Sequence, residues 1–269
     1  MSLASLGVAG SAVIGNGLFG SPTSAFADEP DPTVNDIAIL NFALNLEYLE
    51  AEFYTVATTG KTLAEFGIPV DGMGPGGATL GGQKVDFTED DGEHNGDQDE
   101  DASVSKIANQ IADDERQHVL LLRSVLGDEA IAKPKINLDA LGRVRTRSQF
   151  LAEARAFEDV GVSAYGGAAP LIDSKVILGA AARIALTEGE HVGNIRLLVG
   201  LNEVKTKKLD SQDVLPPPSG TDFFSLNSKG LTIVRTPSQV LAIVYANAAK
   251  GTNHGGFFPN GVNGTLTTV

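Results

Sequence analysis

The chain reads as an all-α protein built on a four-helix bundle. Three features carry that expectation: four long segments repeat apolar residues at helical spacing, a glutamate interrupts each apolar stripe, and two of those glutamates are followed three residues later by a histidine. At 269 residues the chain can bury a sizeable core.

The first helix is expected over Asp36 to about Ala57, with Leu40, Ala43, Leu44, Ala51 and Tyr54 on one stripe and Glu47 among them. A long connection, residues 59–102, follows. Its Gly-rich part, "DGMGPGGATLGGQKVDF", has the composition of a short hairpin. Its acidic part, "TEDDGEHNGDQDED", offers Asp90, Asp91, Asp97 and Asp99 to calcium, but without the spacing of a calcium loop it reads as a solvated segment. The second helix is expected from near Ser103 to Leu126, with Ile107, Ile111, Leu122 and Val125 on its stripe and a stop at Gly127. Glu115 and His118 fall where that stripe calls for leucines.

A crossover containing Pro134 leads to a third helix, about Arg147 to Ala169, whose stripe of Leu151, Ala154, Val162 and Tyr165 includes Glu158. The length of that crossover suits a parallel rather than a hairpin relation between the two helices. The fourth helix is expected over Ser174 to Leu201, where Glu188 and His191 interrupt Ile177, Ala181, Ile184, Ile195 and Leu198. The bundle thus occupies residues 28–205, and 206–269 form an extension. Three prolines in "VLPPPSG" forbid helix there, and Thr236, Pro237 and Gln239 form a capping box that starts a short helix over 237–248. The Gly-rich tail is rich in turns, and His254, with no acidic neighbour, reads as a surface or turn histidine.

Six ionisable groups on inward-facing stripes need compensation, because an unpaired buried carboxylate costs several kcal/mol. Two divalent cations would supply it. One glutamate from each of two helices and Glu-x-x-His from each of two others is the ligand set of dinuclear iron or manganese centres in four-helix bundles. That pattern makes Glu47, Glu115, His118, Glu158, Glu188 and His191 the candidate metal ligands. With 15 glutamates and four histidines, random placement would give about 0.2 Glu-x-x-His matches, so two are a roughly one-in-fifty event. A metal-free buried polar network is the plainer alternative.

A second regularity is independent of the first. Tyr54 follows Glu47 by seven residues and Tyr165 follows Glu158 by seven, using two of only four tyrosines. The order Glu-x6-Tyr then Glu-x-x-His therefore occurs twice, the mark of a duplicated helix pair. The duplication selects Glu47 over Glu50, whose counterpart is Gly161. Glu52, Glu153 and Glu190 lie off the stripes and are expected in solvent. Tyr54 and Tyr165 are candidates for hydrogen bonding or electron donation at the centre, and equally for plain core aromatics. Asp114 is placed to orient His191 from across the bundle, and Thr187 holds the matching position in the other half.

Composition excludes several classes. A net charge of -14 disfavours a nucleic-acid partner and favours cations. With no cysteine, thiolate metal sites and cysteine nucleophiles are ruled out, and no Ser-His-acid arrangement is recognisable. Residues 1–27 are uncharged, rich in small and apolar residues and end in Ala25-Phe26-Ala27, the form of an export signal without its positive start. Export to the periplasm or cell envelope is therefore expected. No later window is apolar enough, for long enough, to span a membrane.

The stretches "LNFALNLEYLEAEFY", "ADDERQHV", "FEDVGVSAYGGAAPL" and "TEGEHVGNIR" resemble the ferritin-like superfamily. With "TPSQVLAIVYANA" and "GGFFPNGVNG" they resemble its desiccation-related, stress-associated branch, over about residues 32–262. The resemblance implies a dinuclear iron or manganese centre in which glutamates bridge or cap the metals and each histidine binds one. It suggests protection during drying or oxidation and names no reaction; two redox-active metals held by carboxylates are expected to react with oxygen or peroxide. The long insertion departs from the superfamily pattern and puts cage assembly of the storage kind in doubt, though not the metal site. From a different class comes an exported envelope protein, using the bundle as a scaffold for homo-oligomer or partner contacts around a vestigial site.

Overall fold

The computed structural model describes residues 34–88 and 98–269. The expected export signal lies outside the described residues, as do Asp90, Asp91 and Asp97 and the side chain of Asp99.

Four long helices form the bundle: α1 (Val34–Thr59), α3 (Gln98–Leu126), α4 (Arg147–Ala168) and α5 (Lys175–Leu201). A single-turn α2 (Leu63–Phe66) follows α1, and α6 (Pro237–Val244) lies in the extension. Helix α1 packs along α3, α4 packs along α5, and the two pairs meet chiefly through α1 against α4. Local sequence sets the boundaries. Thr146 and Gln149 form a capping box at α4, Ser174 caps α5, and Thr236 and Gln239 form the expected capping box at α6. Helix α6 stops at Val244, short of the expected 248, because Ala246 and Asn247 take left-handed backbone angles (φ 62° and 61°). Asp36, in the first turn of α1, accepts the backbone N–H groups of Asp173 (2.8 Å) and Ser174 (3.3 Å), pinning the start of α5 beside α1.

The Gly-rich connection does not form a hairpin. Its β1 (Thr79–Leu80) pairs in parallel with β2 (Ile136–Asn137) of the α3–α4 crossover, and further parallel bridges join Met73 to Ile131 and Asp86 to Thr146. The two long connections run side by side in the same direction, which explains the glycines. A Cβ on Gly77 would lie 2.3 Å from the backbone nitrogen of Lys135, so only glycine allows that approach.

Helix α1 is the axis of the molecule. From Ile39 to Thr58 every residue but Ala43 is fully buried, because the two connections and the C-terminal tail cover the side that a four-helix wheel leaves to solvent. Asn263 in the tail joins three elements: its N–H bonds the Asn45 side chain (3.0 Å), and its amide donates to the carbonyls of Ala132 (2.8 Å) and Pro75 (3.1 Å). Buried arginines anchor the rest of the extension. Asp159 of α4 lies between Arg155 (2.6 Å) and Arg196 (2.8 Å), and Arg155 reaches Asp213 (2.5 Å). Arg235 pairs with Asp210 (2.7 Å) and donates to Ser163 of α4 (3.1 Å).

The central position of α1 corrects one expectation. Glu52 is fully buried rather than solvated, accepts the Leu63 N–H (3.1 Å) and pairs with Lys133 of the crossover (3.3 Å). Glu153 is half-buried, also contrary to expectation, and its surroundings raise its pKa to about 7, mainly by burial, with Asp139 adding to it. Glu190 and His254 are exposed.

Candidate metal centre

At the middle of the bundle the structure brings together all six residues singled out by spacing. Glu47, Glu115, Glu158 and Glu188 are each 0% exposed, His118 is 7% exposed and His191 6%. Three-residue spacing puts Glu115 and His118 on one side of α3, and Glu188 and His191 on one side of α5.

The histidines define two foci. Nδ1 of His118 lies 3.3 Å from each of three carboxylate oxygens, Glu47 Oε2, Glu115 Oε2 and Glu188 Oε1. Nδ1 of His191 lies 3.0 Å from Glu115 Oε1 and 3.6 Å from Glu158 Oε2. Ligand atoms of Glu47, Glu115, His118 and Glu188 fall within 4.8 Å of one another, as do those of Glu115, Glu158, Glu188 and His191. Glu115 and Glu188 belong to both groups, so the foci are adjacent and share two carboxylates. The imidazole rings are 6.2 Å apart.

The tyrosines connect the halves crosswise. Tyr54 on α1 donates to Glu158 Oε1 (2.5 Å) on α4, and Tyr165 on α4 donates to Glu47 Oε1 on α1. Burial first, and then the neighbouring carboxylates, push both phenols well above their usual pKa, so they remain donors. Each hydroxyl occupies one oxygen of its glutamate and leaves the other facing the centre. On the outer side of the site, Asp114 Oδ2 lies 3.2 Å from His191 Nε2, whereas Thr187 bonds the Arg183 carbonyl of its own helix (3.2 Å). Asp114 and His191 line a cleft of about 430 Å³ between α3 and α5, together with Gln110, Asp113, Glu190 and Asn194.

Burial dominates the electrostatics of the cluster. Burial raises Glu47 to about 7 against the pull of His118, and burial followed by Glu115 raises Glu188 well above the carboxylate range. Glu158 is raised by burial against His191. Glu115, between two imidazoles, is held below its usual value despite its burial. Burial disfavours both imidazolium forms, but the surrounding carboxylates outweigh it and raise both histidines. Even so, Glu47 Oε2, Glu115 Oε1, Glu158 Oε2, both oxygens of Glu188 and His191 Nδ1 are buried without a hydrogen-bond partner. Native interiors satisfy nearly all such atoms, and these point at the two foci. Four carboxylates and two neutral imidazoles would neutralise two divalent ions, and oxygen and imidazole donors without thiolate suit iron or manganese. The residues present fit such a pair.

A family model for the ferritin-like domain matches residues 35–201, the whole span from α1 through α5. The chain belongs to the ferritin-like domain family. No curated protein and no solved structure gave a match. The ferritin-like domain thus holds the entire cluster, while α6 and the tail lie beyond it.

Spacing did not select Glu50. It has no counterpart in the second half, where Gly161 stands, yet it is 4% exposed and its carboxylate is raised well above normal by burial and then by Glu188, Glu115, Glu47 and Glu158. A signal was present in the sequence, since Glu47-x-x-Glu50 has the same three-residue spacing as Glu115-x-x-His118.

Proposed function

We propose that this protein is a ferritin-like dinuclear carboxylate protein that binds two iron or manganese ions and reacts with oxygen or peroxide. The observation that carries the reading is the pair of adjacent four-residue groups sharing Glu115 and Glu188, with buried carboxylate oxygens that lack a hydrogen bond at both foci. Glu47 and His118 would hold one ion, Glu158 and His191 the other, and Glu115 and Glu188, members of both groups, would serve both. When bound, the two ions supply redox equivalents to oxygen or peroxide.

The protein's own groups have definite tasks. Tyr165 and Tyr54 restrain Glu47 and Glu158 so that one oxygen of each stays available. Asp114 accepts from His191 Nε2–H, which fixes the tautomer that leaves Nδ1 free to ligate. Ile111, Ala154, Ile184 and Ile195, each four residues from a candidate ligand on its own helix, are buried in the core and would keep bulk water from the site. The cleft between α3 and α5 gives small molecules and cations an approach that ends at His191. A role in stress or desiccation follows from the resemblance of the α6 and tail stretches, and export follows from the Ala25-Phe26-Ala27 signature of residues 1–27. Among the described residues no helix is long and apolar enough to cross a membrane.

A second reading, an envelope scaffold, is favoured by exposed Leu197, Leu201, Phe224 and Leu231 around the C-terminal end of α5 and the segment after it. Elemental analysis of protein purified from its native host, beside a Glu115→Ala, Glu188→Ala double variant, decides between them. About two iron or manganese per chain, lost in the variant, together with metal-dependent consumption of peroxide or oxygen, is the expected result. A metal-loaded but inert protein would give the scaffold precedence, and a 12- or 24-subunit shell by scattering would indicate storage instead.

A further inference from the structure

Glu50 has no place in the six-ligand set, yet the structure puts it against that set. Its Oε1 lies 2.7 Å from the point that a Cβ on Gly161 would occupy, and Glu188 Oε2 lies 2.7 Å from the same point. The two carboxylates therefore converge over the one residue of α4 that has no side chain. On its other side Glu50 borders a small cavity of about 20 Å³, room for about one water, whose walls are mostly hydrocarbon from Leu40, Leu46, Ala164 and Ile172. The strongest charges acting on Glu50 are other carboxylates, with Glu188 first. A carboxylate between hydrocarbon and four more carboxylates is costly without a cation.

We infer that Glu50 is a fifth carboxylate of the dinuclear centre, serving its more highly charged form, and that Gly161 is the space that admits it. The inference rests on the proposed metal centre. Charge counting assigns the role: Glu47, Glu115, Glu158 and Glu188 carry four negative charges, which balance two divalent ions with neutral imidazoles. A fifth carboxylate is surplus to that state and matches the charge gained when one ion becomes trivalent. Its position beside Glu188 places it next to a ligand shared by both foci. The duplicated half has no equivalent, because glycine occupies the matching position, so the added charge enters from one side only.

The test uses the full chain loaded with manganese or iron, as wild type, Glu50→Gln and Glu50→Ala, with folding checked by circular dichroism. Two readouts are taken: metal per chain in the divalent state, and the midpoint potential of the first oxidation by spectroelectrochemical titration. The expected result is about two divalent ions per chain in all three proteins, with a higher midpoint in both variants and a changed spectrum of the oxidised form. An unchanged midpoint and spectrum in Glu50→Gln would overturn the role of Glu50 alone. Loss of divalent metal from both variants would make Glu50 an obligatory ligand and overturn its assignment to the higher charge state. Wild-type protein that binds no metal would overturn this inference together with the reading beneath it.

Discussion

The α1–α3 pair and the α4–α5 pair hold the same chemistry in different surroundings. Each supplies one glutamate with a tyrosine seven residues on and one Glu-x-x-His, and the tyrosines reach across so that each half restrains the other's glutamate. Away from those positions the pairs diverge. A long Gly-rich connection separates α1 from α3, whereas a short turn joins α4 to α5. Glu50 is matched by Gly161, and Asp114 by Thr187. Buried ion pairing in the first half is Glu52 with Lys133, and in the second it is Asp159 between Arg155 and Arg196. Groups that must converge on a shared focus stay alike in both halves, while the groups that support them have found separate solutions.

The largest expected effect tests the shared part. Glu115→Ala or Glu188→Ala alone removes a member of both groups, and each should lose both metals. Glu47→Ala or Glu158→Ala removes a member of one group and should leave about one metal per chain, since the other group stays complete. Stoichiometry by elemental analysis reads this directly, and a Glu115→Ala protein that kept one ion would break its assignment to both groups.

Next comes the supporting structure. Asp159→Ala breaks two buried ion pairs at once, leaving Arg196 with carbonyl acceptors alone while Arg155 keeps Asp213, and should cost about 3–5 kcal/mol in urea unfolding. Glu52→Ala should cost less, on the order of 1–3 kcal/mol, because it breaks one buried ion pair rather than two, and Lys133 keeps its bonds to the Gly77 carbonyl (3.0 Å) and Thr79 (2.8 Å). Equal losses would mean that the two halves are braced alike after all.

The pH dependence should have opposite signs with and without metal. In metal-free protein, burial raises Glu47 from 4.5 to about 7. A carboxyl whose folded pKa is raised stabilises the fold fully below its unfolded pKa, and that contribution is lost as pH climbs through about 7, on the order of 3 kcal/mol. Metal binding needs the carboxylate, so metal affinity should increase over the same interval. Thermal midpoints of both forms between pH 5 and 8 check this, and parallel curves would detach Glu47 from the metal.

Much of this arrangement was legible in the sequence because helical spacing is a direct geometric consequence of the backbone. The four long helices, the stop after Leu126 and the six clustered side chains follow from periodicity and Glu-x-x-His spacing alone. What failed has one physical origin. A helical wheel assigns the residues off the apolar stripe to solvent, but α1 is covered on every side by segments remote in sequence, so Glu52 is buried. The parallel pairing of the two connections was illegible for the same reason. Glycines spaced for close backbone approach resemble turn glycines until the partner strand is in view.

The smallest expected effect probes the finest difference between the halves. Asp114 is half exposed at its side chain, so its bond to His191 competes with water. Asp114→Ala should weaken the ion on the His191 side by about tenfold, the lower end for a residue that orients a histidine ligand. Thr187→Ala should leave the His118 side unchanged, because Thr187 bonds its own helix rather than a histidine. Stepwise metal titration separates the two affinities, and Asp114→Asn separates the causes. Asparagine can still accept from His191 Nε2 but carries no charge, so restored affinity would assign Asp114 to orientation. If asparagine instead behaves like alanine at equilibrium, the carboxylate acts through its charge, and the asymmetry between Asp114 and Thr187 belongs to the acidic cleft rather than to the placement of the ring.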